Sequence, residues 1–332
     1  MADATPLAGP ADSAVVVAKD NGPRQRFFSG RTLVIAIPYL WSLVFFAIPF
    51  FIVFKLSVSQ VADGNPPYTP VFSFDGTWQS LTDYFSQLNF DNYYSIFNIW
   101  GEDGDSLYIK SYFSSVTIAA ISTFFLLLIG YPIAYGMARA SKTLRPTLLM
   151  LVILPFWTSF LIRVYAWTGI LKGQGLLNLA LSQVGLVDMA NPPELLGTNW
   201  AVYIGMVYSY LPFMVLPLYS TLEKMDHTLL EAAADLGCKP IKAFWLVTFP
   251  LSLPGVIAGC MLCFIPAVGE FVIPDLLGGS QTLMIGKSLF DLFLLNRDWP
   301  TASALAIILL VVLVGPITYY QHIQAKALEA NR

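Results

Sequence analysis

Six long apolar runs dominate the pattern of this chain, at Thr32–Phe54, Tyr112–Met137, Thr147–Leu171, Trp200–Ser220, Leu253–Leu277 and Ala302–Tyr320. Each is close to the roughly 20 residues a helix needs to cross a bilayer. The expected fold is all-α and membrane-integral, with six spanning helices. Prolines interrupt most runs, at Pro132, Pro155, Pro212, Pro217, Pro266 and Pro316. They read as kinks, because neighbouring helices re-satisfy the freed carbonyls.

The polar segments set the orientation. With the N-terminus inside, twelve lysines and arginines fall on inner segments and five on the longer outer ones. The short loop 138–146 has three basic residues and no acidic one. Both termini are therefore expected in the cytoplasm. Residues 1–30 read as a disordered tail, 31–321 as the membrane domain, and 322–332 as a second tail. The outer loop Lys55–Ser111 is acidic (Asp63, Asp75, Asp83, Asp91, Glu102, Asp103, Asp105). It is also rich in rings (Phe72, Phe74, Trp78, Tyr84, Phe90, Tyr93, Tyr94, Trp100). That many aromatics predicts a packed cap, with or without a partner.

Composition agrees. The 332 residues are 56% hydrophobic and only 12% charged, against about 25% charged in soluble domains. The net charge of −3 carries no nucleic-acid signal. Cys260-x-x-Cys263 has redox spacing but lies inside an apolar run, where small residues pack helices. With two histidines, His227 and His322, no histidine metal site is expected. Ile285-Gly286-Lys287-Ser288 fails as a phosphate loop, because the required earlier glycine is Gln281. No triad or carboxylate pair supports an enzyme, and no cofactor is expected in this chain.

The inner loop 222–252 carries a different kind of information. Thr228-x-x-Glu231 fits a capping box. Gly237 suits the left-handed residue after a helix. Pro240 fits the first turn of a second helix, which Pro250 would end or kink. The loop thus reads as helix, glycine turn, helix. The small residues Ala232 and Ala233 would let the first helix seat closely in a groove on a partner, or the unit would lie on the membrane surface.

Glu231-Ala232-Ala233, three residues, Gly237, nine residues, then Val247-x-Phe249-Pro250 resembles the EAA loop of ABC importer permeases. Val247 and Phe249 stand where that pattern has isoleucine and leucine. "LPFWTSFLIRVYAW", "YLPFMVLPLYSTLEKMD", "FIPAVGEFVIPDLLGG" and "NRDWPTASA" resemble putrescine/spermidine importer permeases, especially the putrescine-type subunit. The resemblance covers nearly all of the chain after about residue 30. It implies a type I ABC importer permease fold in a bacterial inner membrane. It also implies a second homologous permease subunit, two cytoplasmic ATPases that bind ATP and magnesium, and a periplasmic polyamine-binding protein. The coupling residues it implies are Glu231, Ala232, Ala233, Asp235, Leu236 and Gly237. A secondary transporter or an importer of another cation is the alternative, though no internal repeat is visible.

Two ionisable residues lie inside the runs, Arg163 and Glu270. Counted along straight helices, they sit about 24 and 25 Å from the inner face, so they are expected either to pair or to act on cargo. A polyamine joins ammonium groups by methylenes, so its path favours carboxylates and aromatic faces. Glu270 is the carboxylate of choice, with Arg163 steadying it or guarding the gate. Trp157, Tyr165, Trp167, Tyr208, Tyr210 and Phe264 are the rings, and Asp275 extends the acidic path.

Overall fold

Each apolar run becomes helix, though not always where the run places it. The computed structural model describes residues 30–71, 78–97, 107–226, 228–280 and 282–330. The expected tail before residue 30 lies outside these residues, as do Phe72, Phe74, Asp75, Trp100, Glu102, Asp103 and Asp105 in the cap. In chain order the helices are α1 (Val34–Ser57), α2 (Trp78–Ser86), α3 (Asp91–Phe97), α4 (Leu107–Arg139), α5 (Arg145–Trp157) and α6 (Phe160–Leu171). Then come α7 (Leu176–Gln183), α8 (Asn199–Glu223), α9 (Thr228–Asp235), α10 (Pro240–Val268), α11 (Val272–Leu277), α12 (Ile285–Phe290) and α13 (Trp299–Ala330).

Among the described residues, four helices are long and apolar enough to cross a membrane: α1, α4, α8 and α10. The bent pair α5–α6 makes a fifth if counted as one span, and α13 holds a shorter apolar stretch, Trp299–Gly315. Helix α13 runs on to Ala330, through most of the expected C-terminal tail. Two compact units divide the chain, Met1–Phe51 and Ile52–Arg332. The first carries most of α1, and everything below concerns the second.

Two runs depart from expectation. The third, read as one helix over Thr147–Leu171, breaks at Thr158, and α5 and α6 meet at 88°. Pro155 helps explain this, since it cannot donate a backbone hydrogen bond. The turn Leu154–Trp157 tightens to a 3₁₀ helix, and Thr158 is extended at φ −98°, ψ 152°. The fifth run is displaced. Its helix already begins at Pro240, ends at Val268, and resumes as the separate α11. Pro250 does not terminate it. A π-helical turn, Phe244–Thr248, precedes that proline and shifts the register where its ring would press on the carbonyl four residues back.

The core is the mutual packing of α4, α8 and α10. Met206, Met214, Leu218 and Cys263 are fully buried in it. Gly130 of α4 and Gly259 of α10 both abut the Met214 side chain, the close approach that small residues allow between membrane helices. Tyr131 and Ser252 share a 2.9 Å hydrogen bond across α4 and α10. Cys260 and Cys263 are free thiols in this packing. At the far end of α4, Arg145 donates to the carbonyls of Ala138 and Ala140 and pairs with Glu223 at 3.1 Å.

The cap is not purely helical. Strands β1 (Gln60–Val61) and β2 (Tyr68–Thr69) pair antiparallel, Gln60 opposite Thr69 and Val61 opposite Tyr68. Lys55 Nζ lies 4.0 Å from the centre of the Tyr68 ring and donates to the Pro70 carbonyl. Asn92 ties α3 to the carbonyls of Ser57 and Ser59.

Candidate functional site

A break in the α10–α11 rod builds the first site. After Val268 the chain leaves the helix at Gly269 and re-enters it at Val272. The new helix starts with amides that have no partner within it. Glu270 folds over them. Its Oε1 accepts from the backbone N–H groups of Phe271 at 3.1 Å, Val272 at 3.0 Å and Ile273 at 3.4 Å. Its Oε2 accepts from the Tyr210 hydroxyl of α8 at 2.5 Å. Four donors therefore converge on one carboxylate that is 9% exposed. Such convergence holds a buried negative charge in place.

The wall behind Glu270 is backbone. Helix α12 presses Gly286 onto it, and a Cβ at 286 would lie within about 2.5 Å of the Gly269 and Glu270 carbonyl oxygens, closer than any side chain tolerates. The Ser115 hydroxyl of α4 accepts from the Ile285 N–H at 2.7 Å and holds the start of α12. The Gly286-Lys287-Ser288 stretch thus has a packing role, which its likeness to a phosphate loop did not suggest.

Arg163 does not pair with Glu270, contrary to one of the two expectations. The bend at Thr158 invalidates the straight-helix depth count, and Glu270 is already engaged. Among the described residues the ion pairs are Arg145–Glu223 and Lys287–Asp275. Arg163 is 8% exposed, and its Nε and Nη1 are buried without a hydrogen-bond partner. Its guanidinium stands 5.0 Å from the Phe156 ring centre and 5.8 Å from that of Phe160.

The rings divide into separate groups. Tyr210 contacts Glu270 directly. Trp167 and Tyr208 meet edge to face at 5.4 Å. They line a different, apolar groove of about 440 Å³ with Phe125, Trp200 and Tyr203. Trp157 and Tyr165 are exposed, 71% and 59%. Phe264 packs against the core. Asp275 is held by Lys287 at 3.2 Å rather than standing free. The rings the sequence reading missed are Phe156 and Phe213, which meet edge to face at 5.3 Å, with Phe213 6.2 Å from Tyr210. Phe213 lies three residues after Tyr210 in one helix, so helical periodicity could have found it.

The second site is the inner helix α9. It ends in a glycine-closed double hydrogen bond. The Cys238 N–H donates to the Ala233 carbonyl at 2.9 Å, and the Gly237 N–H to that of Ala234 at 2.8 Å, with Gly237 at φ +76°. This is the six-to-one, five-to-two closure expected of a glycine at that position. The start differs from expectation. Thr228 is the first helical residue, not the cap, and its N–H is held by the Asp226 carboxylate at 3.0 Å. Glu231, Ala232 and Asp235 face outward, Ala233 is half-buried, and Leu236 is 88% exposed. Pro240 then opens α10 at its first turn.

Residues 127–327 match the family model for the binding-protein-dependent transport system inner membrane component. The chain is 39% identical over 290 residues to the spermidine/putrescine transport system permease protein PotB of Haemophilus influenzae, covering 87% of this chain and 92% of that one. It is 44% identical over 209 residues to the protein of the same name from Escherichia coli K12, covering 63% and 75%. A solved bacterial ABC transporter involved in alginate import aligns with TM-score 0.63 at 17% identity, covering 89% of this chain and 95% of that one. The same kind of transporter in complex with an alginate-pentasaccharide-bound periplasmic protein aligns at 0.62 and 15% identity, covering 89% and 93%. At those identities the likeness establishes the fold.

Proposed function

We propose that this chain, which belongs to the family of binding-protein-dependent transport system inner membrane components, is the subunit through which an ATP-driven importer moves putrescine, spermidine or both from periplasm to cytoplasm. The fold is that of a type I ABC importer permease, and the chain is a transmembrane permease subunit of such an importer. One observation carries the cargo reading: 39% identity spread over 92% of a spermidine/putrescine permease. The chemistry of the site supports it. A buried carboxylate, its Oε2 held by a phenol that an ammonium could replace, lies beside a run of rings, which suits an ammonium joined to methylenes.

ATP hydrolysis belongs to partner chains. Two cytoplasmic ATPases, with ATP and magnesium, drive one heterodimer of this chain and a second permease, fed by a periplasmic polyamine-binding protein. Helix α9 is the contact with an ATPase, and its exposed Leu236 flanks the turn at Gly237 that would enter a groove. Both chain termini then face the cytoplasm, as does α9.

One helix, α10, joins the turn after α9 to the break that holds Glu270. Helix α10 has 29 residues and is about 44 Å long at 1.5 Å per residue. A displacement at Gly237 therefore reaches the break at Glu270 along a single rod. The carboxylate is positioned to exchange Tyr210 for an ammonium as that rod moves.

The test is ATPase activity of the full assembly in vesicles, with the binding protein offered putrescine, spermidine, or another small cation. Stimulation by a polyamine is the expected result. Stimulation only by a different cation, or none by either polyamine, would overturn the cargo assignment and leave the permease fold standing.

A further inference from the structure

Arg163 is a buried cation that the proposed transport step does not use. It sits on α6, immediately past the 88° bend, and its Nε and Nη1 are buried with no hydrogen-bond partner among the described residues. An unpaired charge taken out of water is costly, and in a membrane protein such residues mark pathways more often than packing. The nearest relief is the faces of Phe156 and Phe160, which compensate only in part.

The cation is linked to the carboxylate by rings. Phe156 touches Phe213, Phe213 neighbours Tyr210, and Tyr210 donates to Glu270. Helices α6 and α11 also pack against one another. Arg163 and Glu270 are thus two ends of one aromatic string. The carboxylate's oxygens are taken by α11 amides and the phenol, and it forms no ion pair with the guanidinium. In surroundings of low dielectric, the field of that guanidinium extends along the string.

We propose that Arg163 ranks cargo by its number of positive charges. This inference rests on the polyamine reading above. One ammonium at Glu270 is attracted, and the methylenes lie on the rings. Each further ammonium approaches a guanidinium that no carboxylate pairs with, and is repelled. A tri-cation meets more of this barrier than a di-cation, as with other cationic residues placed along selective pores. Arg163 therefore favours putrescine over spermidine at the membrane step, independently of any choice made by the binding protein.

The test uses the full assembly in vesicles, with the binding protein saturated by each polyamine in turn, so that turnover reports the membrane step. Arg163→Met removes the charge at similar length, and Arg163→Lys keeps it. The expected result is that Arg163→Met raises the spermidine-to-putrescine turnover ratio at least about threefold, while Arg163→Lys stays within about twofold of wild type. The Arg163→Met assembly should also melt no lower than wild type, because an unpaired charge leaves no stranded partner. An unchanged ratio in a folded Arg163→Met assembly overturns the proposal. So does a large loss of stability in Arg163→Met that Arg163→Lys lacks, since that reveals an ion-pair partner. Wild-type assembly that moves neither polyamine would instead remove the cargo reading, and this inference with it.

Discussion

Tyr210 and Glu270 lie sixty residues apart in the chain and meet through a 2.5 Å hydrogen bond, the phenol donating to Oε2. The bond spans the gap between α8, an unbroken helix of the core, and the break that separates α10 from α11. It makes the carboxylate part of the scaffold as well as of the proposed path. Tyr210→Phe removes one donor from a buried charge and should cost about 1–3 kcal/mol, read as a lower melting temperature of the purified assembly. Polyamine transport should fall less than in Glu270→Gln.

Glu270→Gln keeps the shape of the side chain and removes its charge. Uptake of putrescine into vesicles should fall by about tenfold or more, the loss expected when a charged contact made during transfer is removed. The assembly should remain intact, as judged by copurified ATPase. Normal uptake by an intact Glu270→Gln assembly would end the substrate-contact role and leave Glu270 a helix cap.

Gly286→Ala tests the wall behind the carboxylate. Its Cβ would meet the carbonyl oxygens of Gly269 and Glu270, and backbone on both sides cannot yield as a side-chain end can. The expected cost is about 1–3 kcal/mol or more, the usual penalty of overpacking. A melting curve indistinguishable from wild type would show that α12 moves away freely.

Gly237→Val tests the inner turn. A β-branched residue at φ +76° costs roughly 1–2 kcal/mol and opens the double hydrogen bond. ATPase copurification should drop sharply while the chain still inserts. Gly237→Asn, which tolerates the left-handed region better, should retain most of it. Equal copurification for Val and wild type would separate α9 from the ATPase contact.

Arg145 separates an ion pair from a helix cap. Its bond to Glu223 is partly exposed, with side-chain exposures of 19% and 40%, so Glu223→Gln should cost well under about 1 kcal/mol. Arg145→Ala also strips donors from the carbonyls of Ala138 and Ala140 and should cost more, about 1–2 kcal/mol. Comparable melting shifts for the two variants would assign the whole effect to the ion pair.

Local patterns carried far in this chain. Apolar run length determined that the runs would be helices, because a backbone in lipid must satisfy its own hydrogen bonds. Gly237 and Pro240 determined the turn between α9 and α10, since both act through their own backbone geometry. Tertiary packing decided the rest. Pro155 announced a disturbance but not an 88° bend. Pro250 announced a stop or a kink, and the helix runs through it behind a π turn. Depth counted along straight helices brought Arg163 and Glu270 together, and the bend undid the count. Whether Glu270 would meet Arg163, cargo or backbone depended on which unpaired donors lay nearest. Those donors, the amides of a helix restarting at Val272 and a phenol sixty residues away, exist only once the chain is folded.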